Sequence, residues 1–259
     1  MIHIKTEKEI TIMKQGGKIL ADALFATLEQ VTPGVTELEL DTFAENFIRS
    51  KGAEPGFQKV PGYKHTICAS TNDVVVHGIP GKRVLKEGDI IGIDMGVFLG
   101  GFHTDMAETI RVESEAVKKM GEKDATDTFL AIGKRAMEAG IAQACGGNHV
   151  GHISRAMQDI IEKEGKYAVV RSLVGHGVGR ALHEEPEIPG YLSKAIEKTP
   201  LLKPGMTIAI EIIYNQGKRE VRYANHDEWT ISSADGSLAG LFERSLVVTK
   251  GKPVILTAV

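Results

Sequence analysis

Apolar residues recur at helical intervals twice near the start of the chain. Ile10, Met13, Leu20, Leu24 and Leu28 form one stripe, and Leu40, Phe43 and Phe47 form another. Each stripe follows a threonine with a glutamate three positions on, Thr6 with Glu9 and Thr36 with Glu39. At that spacing hydroxyl and carboxylate cap one another's backbone N–H. Gly52 is a natural stop for the second helix. The pattern predicts further helices over 124–143 and 149–164, the latter carrying Ile153, Met157, Ile160 and Ile161 and ending at Gly165. Strand signals, rich in Val, Ile and Thr and bounded by Gly, Pro and Asn, fall at 66–70, 73–77, 90–97, 103–112, 170–175, 206–214, 228–232 and 243–250. Helix pairs followed by runs of strands predict an α+β fold, with helices packed on one face of a mainly antiparallel sheet.

The order of elements repeats once. Leu85-Lys86-Glu87-Gly88-Asp89-Ile90-Ile91-Gly92-Ile93-Asp94 aligns without gaps with Leu202-Lys203-Pro204-Gly205-Met206-Thr207-Ile208-Ala209-Ile210-Glu211. Each copy follows a helix, a strand and a histidine-bearing segment. Each precedes a second acid-bearing strand, at Asp105 and at Glu243. Two duplicated halves that meet at a cleft would set Asp94 and Glu211 facing each other across it. No linker-like stretch divides them, so a single domain over 1–259 is expected.

Composition narrows the class. The chain is 42% hydrophobic and 25% charged, as soluble globular proteins are. A net charge of −3 offers no overall basic field for nucleic acid or an anionic membrane. Two cysteines, Cys68 and Cys145, are too few for a disulfide scaffold. The N-terminus lacks the layout of a signal peptide, and no uncharged apolar run is long enough to cross a bilayer. A cytoplasmic protein with no membrane partner and no sequence-specific nucleic-acid partner is expected.

The chemistry resides in acids that the pattern buries. Asp94 and Glu211 sit in apolar strands, where an ionised carboxylate is costly unless it is paired or binds a metal. Asp105 follows the turn at Gly100-Gly101, and His103 shares its strand face, where a supporting role is expected. Glu243, taken alone, is a solvated acid opening an apolar strand. His176 lies in Gly175-His176-Gly177-Val178-Gly179, whose glycines let backbone crowd whatever the imidazole binds. His183-Glu184-Glu185-Pro186 is not the zincin signature, because Glu187 stands four after His183. His3, His65, His149, His152 and His226 carry no supporting context. One histidine with four carboxylates suits a pair of divalent ions such as Mn, Fe, Co or Zn, whose identity the residues do not fix. Such pairs stand roughly 3.5–4 Å apart.

With these residues in view, the chain resembles the methionine aminopeptidases from Ile4-Lys5-Thr6 through Val247-Val248-Thr249. The resemblance rests on Asn72-Asp73-Val74-Val75-Val76-His77-Gly78-Ile79-Pro80, Gly101-Phe102-His103-Thr104-Asp105, the two histidine motifs above and Lys203-Pro204-Gly205-Met206-Thr207. It implies the pita-bread fold, a pseudo-twofold antiparallel sheet with flanking helices. It implies two metals held by Asp94, Asp105, His176, Glu211 and Glu243, with Asp105 and Glu243 as bridges. It implies water attack on the Met–X bond of nascent polypeptide N-termini when the second residue is small, and a monomer that works at the ribosome. Glu211 would shuttle the proton, His183 would stabilise the oxyanion with the metals, and His77 would contact substrate near the scissile nitrogen. Tyr63, Cys68 and Trp229 would line the methionine side chain. Two departures stand out: Ile212 where the family has proline, and Arg244 where histidine is common. Either could tilt a ligand. The spacings from His183 to Glu211 and from Glu211 to Glu243 leave no room for the insertion that marks type II members, so type I is expected. The rivals are an Xaa-Pro aminopeptidase of the same fold, which carries a large extra N-terminal domain, and a non-catalytic binder, which would have lost ligands.

Overall fold

The computed structural model describes residues 2–120, 123–225 and 227–258. The first half opens with α1 (Glu7–Leu28) and α2 (Glu37–Ser50), and both threonine–glutamate capping boxes form. Strands β1 (Glu54–Pro55), β2 (Ile67–Thr71) and β3 (Val74–Val76) precede the long hairpin of β4 (Ile90–Leu99) and β5 (Phe102–Arg111). A short helix, α3 (Glu115–Met120), leads to the second half. There α4 (Ala125–Ala142) and α5 (Val150–Gln158) precede β6 (Ala168–Val169), β7 (Gly175–Gly177) and β8 (Glu184–Ile188). Strands β9 (Thr207–Asn215), β10 (Val221–Tyr223), β11 (Ile231–Ser233), β12 (Ala239–Val247) and β13 (Val254–Ile255) complete the chain.

Ten strands form one sheet in the order β1-β4-β5-β12-β9-β7-β8, with β2 beside β4, β6 beside β9 and β13 beside β12. The pairings are antiparallel throughout. The helices cover one face. Under α1 and α2 lie Ile91, Ile93, Met95 and Met106. Under α4 and α5 lie Ile208, Ile210, Ile212, Tyr214, Phe242 and Leu246. Each fully buried Ile or Leu contributes roughly 1.5–3 kcal/mol relative to exposure, so these two layers fix the register of the strands they cover. A small sheet, β10-β11-β3, closes the opposite side.

The two aligned stretches adopt matching conformations. Leu85 and Leu202 are buried, Gly88 and Gly205 turn the chain at φ 84° and 89°, and Ile91, Ile93, Ile208 and Ile210 point into the helix layers. Both glycines occupy the left-handed region that a side chain resists.

Several elements differ from the expectations. Residues 170–175 are not a strand, since β6 ends at Val169 and β7 starts at Gly175. The strand expected at 243–250 runs from Ala239 to Val247, so Glu243 lies in its middle. The strand expected at 228–232 begins only at Ile231. The helix expected over 149–164 widens to π-helical turns at Asp159–Glu164, and Lys166, at φ 59°, takes the left-handed position beyond Gly165. His226 lies outside the described residues.

Candidate metal centre

Strand registers decide which side chains meet. Asp94 pairs with Ala107, and Asp105 lies two residues before Ala107 on the same strand. Ala107 also pairs with Glu243, which in turn pairs with Glu211. His176 pairs with Ala209, two before Glu211. Side chains alternate between faces along a strand, so all five lie on the face opposite the helices. They converge on one cavity of about 540 Å³.

The geometry at its floor is that of a cage. His176 Nδ1 lies 2.8 Å from the Gly177 carbonyl, which makes it the protonated nitrogen and leaves the Nε2 lone pair facing the acids. That Nε2 is 3.8 Å from Asp105 Oδ2, 3.8 Å from Glu211 Oε1 and 3.9 Å from Glu243 Oε1. Such spacing admits an ion bonded to each at about 2.0–2.2 Å. Asp94 lies close enough to feel the charges of Asp105 and Glu211.

The electrostatics ask for positive charge. Burial pushes the Asp105 carboxyl up to about 7. Burial and then the Asp105 charge push Glu211 up to about 8. Burial and neighbouring acids hold Asp94 and Glu243 well above the carboxylate range. Burial lowers His176 to about 4, so the imidazole is neutral and able to ligate. Asp94 Oδ1 and Glu243 Oε1 are buried with no hydrogen-bond partner. Among the described residues no lysine or arginine lines the cavity. Four buried carboxylates and a neutral imidazole therefore fit divalent cations, which would supply the missing partners and restore the acids' charge.

Comparison with known proteins agrees with this chemistry. The model of "Metallopeptidase family M24" matches residues 11–239. "Methionine aminopeptidase 1" of Bacillus subtilis is 40% identical over 259 residues, covering 100% of both chains. The crystal structure of methionine aminopeptidase from Thermotoga maritima superposes with a TM-score of 0.93 at 35% identity, again over 100% of both chains. The chain belongs to the methionine aminopeptidases of metallopeptidase family M24. The prolidase of Pyrococcus furiosus gives a TM-score of 0.76 at 23% identity, with the chain covering 65% of that protein, a likeness that speaks for the fold alone. The fold is the pita-bread fold of these metallopeptidases.

Above the four acids and the imidazole, the methionine aminopeptidase cavity has an aromatic wall. Tyr63 meets Trp229 edge-on at 5.1 Å and Phe57 edge-on at 6.3 Å. Cys68 pairs directly with Asp94 across β2 and β4, and Leu182 and Val60 complete the cluster. Phe57, Val60 and Leu182 escaped the sequence reading, because they sit on a single 3-10 turn and loops that carry no periodicity. Burial pushes the Cys68 thiol up, Asp94 adds to that, and the sulfur is a small apolar surface there. His77 lines the cavity from the end of β3 at φ 55°, a conformation uncommon for a residue with a side chain, and burial lowers its pKa to about 4. His183 stands exposed at the rim, edge-on to His176 at 4.4 Å. Its loop is anchored by the next residue, for Glu184 accepts from buried Lys5 Nζ at 2.5 Å and from the Ala181 N–H. His103 packs its ring 4.7 Å from Phe98 and donates its backbone N–H to Gly179.

Three of the other histidines have local partners. His65 pairs with Asp41, and the His152 ring accepts from the His149 N–H at the start of α5. The two departures point away from the cage. Ile212 is buried under α4 and α5, and Arg244 turns to the helix face, where its guanidinium binds Glu108 and the Ala107 and Glu243 carbonyls.

Proposed function

We propose that this chain, folded as one catalytic unit over residues 1–259, is a type I methionine aminopeptidase that removes the first methionine from nascent proteins when the second residue is small. The observation that carries the reading is the convergence of five donor side chains on one face of the sheet, with two buried carboxylate oxygens left unpartnered. Asp94, Asp105, His176, Glu211 and Glu243 hold two divalent ions of the Mn, Fe, Co or Zn kind. When bound, the ions supply the Lewis acidity that activates a water and polarises the scissile carbonyl.

The chain's own residues do the rest. Tyr63, Cys68 and Trp229, with Phe57 and Leu182, take the methionine side chain in an apolar slot and exclude water from it. Glu211 holds and releases the proton that travels from the attacking water to the leaving amine. His77, neutral at physiological pH, hydrogen-bonds the substrate near the scissile nitrogen. His183 donates to the carbonyl oxygen as negative charge develops on it.

Among the described residues no helix is long and apolar enough to cross a membrane. The protein works as a cytoplasmic monomer that meets its substrates as they leave the ribosome. A peptide panel tests the activity. Metal-loaded protein should cleave Met-Ala and Met-Gly peptides and spare Met-Leu and Xaa-Pro peptides. A preference for Xaa-Pro would overturn the specificity, and absence of turnover with every added metal would overturn the activity.

A further inference from the structure

The two halves of the sheet meet at the β5–β12 seam, and that seam is unlike its neighbours. Strands β4 and β5 pair through ten positions and β12 and β9 through nine, whereas β5 and β12 pair through two, Glu243 with Ala107 and Arg244 with Met106. On either side of those pairs a hydroxyl stands in the ladder. The Asp105 N–H donates to Ser245 Oγ at 2.9 Å, and that same hydroxyl donates to the Asp105 carbonyl at 2.8 Å. At the other end the arrangement is exchanged. The Leu241 N–H donates to Thr109 Oγ1 at 2.9 Å, and Thr109 Oγ1 donates to the Leu241 carbonyl at 2.7 Å. The backbone of Ser245 is engaged elsewhere, its N–H with Thr257 Oγ1 and its carbonyl with the Leu256 N–H. All four seam residues are buried.

Paired strands normally sit about 4.7–4.9 Å apart. A hydroxyl relaying both bonds holds them wider than a direct ladder would. Asp105 and Glu243 are the carboxylates that flank this seam, one on each strand. We propose that Ser245 and Thr109 are positioning residues that hold the seam open at the width the metal cage needs, with Ser245 fixing Asp105 through both of its backbone polar groups. This rests on the reading of Asp105 and Glu243 as metal ligands.

The test is Mn²⁺ titration of metal-free protein by calorimetry, with thermal melting as a check on folding. Ser245→Ala should weaken the metal affinity about 10–100-fold, the cost typical of losing a group that orients a ligand. Ser245→Thr, which keeps the hydroxyl, should restore affinity to within a few-fold. Thr109→Val, which keeps the shape and loses the hydroxyl, should weaken it in the same direction. Unchanged affinity in folded Ser245→Ala overturns the proposal, as does unchanged affinity in Thr109→Val if the alanine variant does not fold. Asp105→Asn separates the two readings. If it binds Mn²⁺ like the parent, the ligand assignment has failed. If it loses the metal while the hydroxyl variants keep it, the seam proposal alone has failed.

Discussion

Two clusters of buried charge lie back to back across the central strands, and they are built to opposite rules. On the helix face, Glu108 is held by Arg244 and by Lys134 of α4, so the acid finds its counter-ions within the chain. On the cavity face, Asp94, Asp105, Glu211 and Glu243 face one another and a neutral imidazole. The cavity acids are all driven towards the protonated form. A buried charge left without a partner is too costly to persist. The first cluster is complete as it stands and serves the fold. The second is complete only with cations from outside, which is the signature of a working site.

The largest effect should come from taking one member out of the incomplete cluster. His176→Ala or Glu243→Gln should lower kcat/KM by at least about a thousand-fold, on the order of 4 kcal/mol, and metal analysis should show that bound ion is lost with it. In the metal-free state Glu243→Gln should melt no lower than the parent, since it relieves repulsion. A fall in Tm would break the comparison.

The complete cluster should respond the other way. Glu108→Gln leaves a buried guanidinium short of charge and should destabilise by about 3–5 kcal/mol in urea unfolding. Metal content of the folded fraction should stay near that of the parent.

A smaller effect separates ligands from their surroundings. His77→Ala should reduce kcat about a hundred-fold, in the range of lost acid–base or hydrogen-bonding assistance. Its metal content should remain near normal, and an emptied site would show that His77 had been given the wrong role.

The smallest effect is a pH dependence of the metal-free protein. Asp105 and Glu211 titrate near 7 and 8 when folded, above their unfolded values near 4. The folded state therefore binds more protons than the unfolded one as pH rises through that window. Stability must fall with rising pH between them. Below about 6.5 the depressed His77 and His176 pull in the opposite sense, because the unfolded chain protonates first. Tm of the metal-free form should thus decline by a few degrees from pH 6.5 to 8, roughly the shift that 1 kcal/mol gives a chain of this size. Added Mn²⁺ should release protons and remove the decline. A flat profile without metal would mean that the acids are stabilised by something other than cations.

Much of this contrast was legible from sequence. The capping boxes at Thr6 and Thr36 were, because three-residue spacing is all they need. So was the placing of Asp94 and Glu211 towards one shared cleft, because the repeat carried them into matched strands. Glu243 was harder. Its strand starts four residues earlier than the pattern suggests, at Ala239, since Gly240 looks like a breaker. The glycine is there because a Cβ would stand 2.6 Å from the Tyr214 ring. Strand β7 was hidden for the same reason. Its Gly177 leaves room for the Glu185 carbonyl, which a Cβ would meet at 2.2 Å, so a glycine run that reads as a loop is a strand pressed between neighbours. The direction of Arg244 was not legible as a threat or a help until alternation placed it on the far face. The aromatic wall was half visible, for Phe57 and Leu182 reach it from turns whose course only tertiary packing decides.

The tie between Lys5 and Glu184 joins residues 179 positions apart in the chain. It fastens the opening segment of the polypeptide to the stretch that presents His183, and the Lys5 N–H to Gly205 bond secures the segment's other side. The leading residues thus behave as a tether rather than a tail. Trimming them, or fusing a rigid tag close against them, would slacken the rim of the cavity while leaving its floor intact.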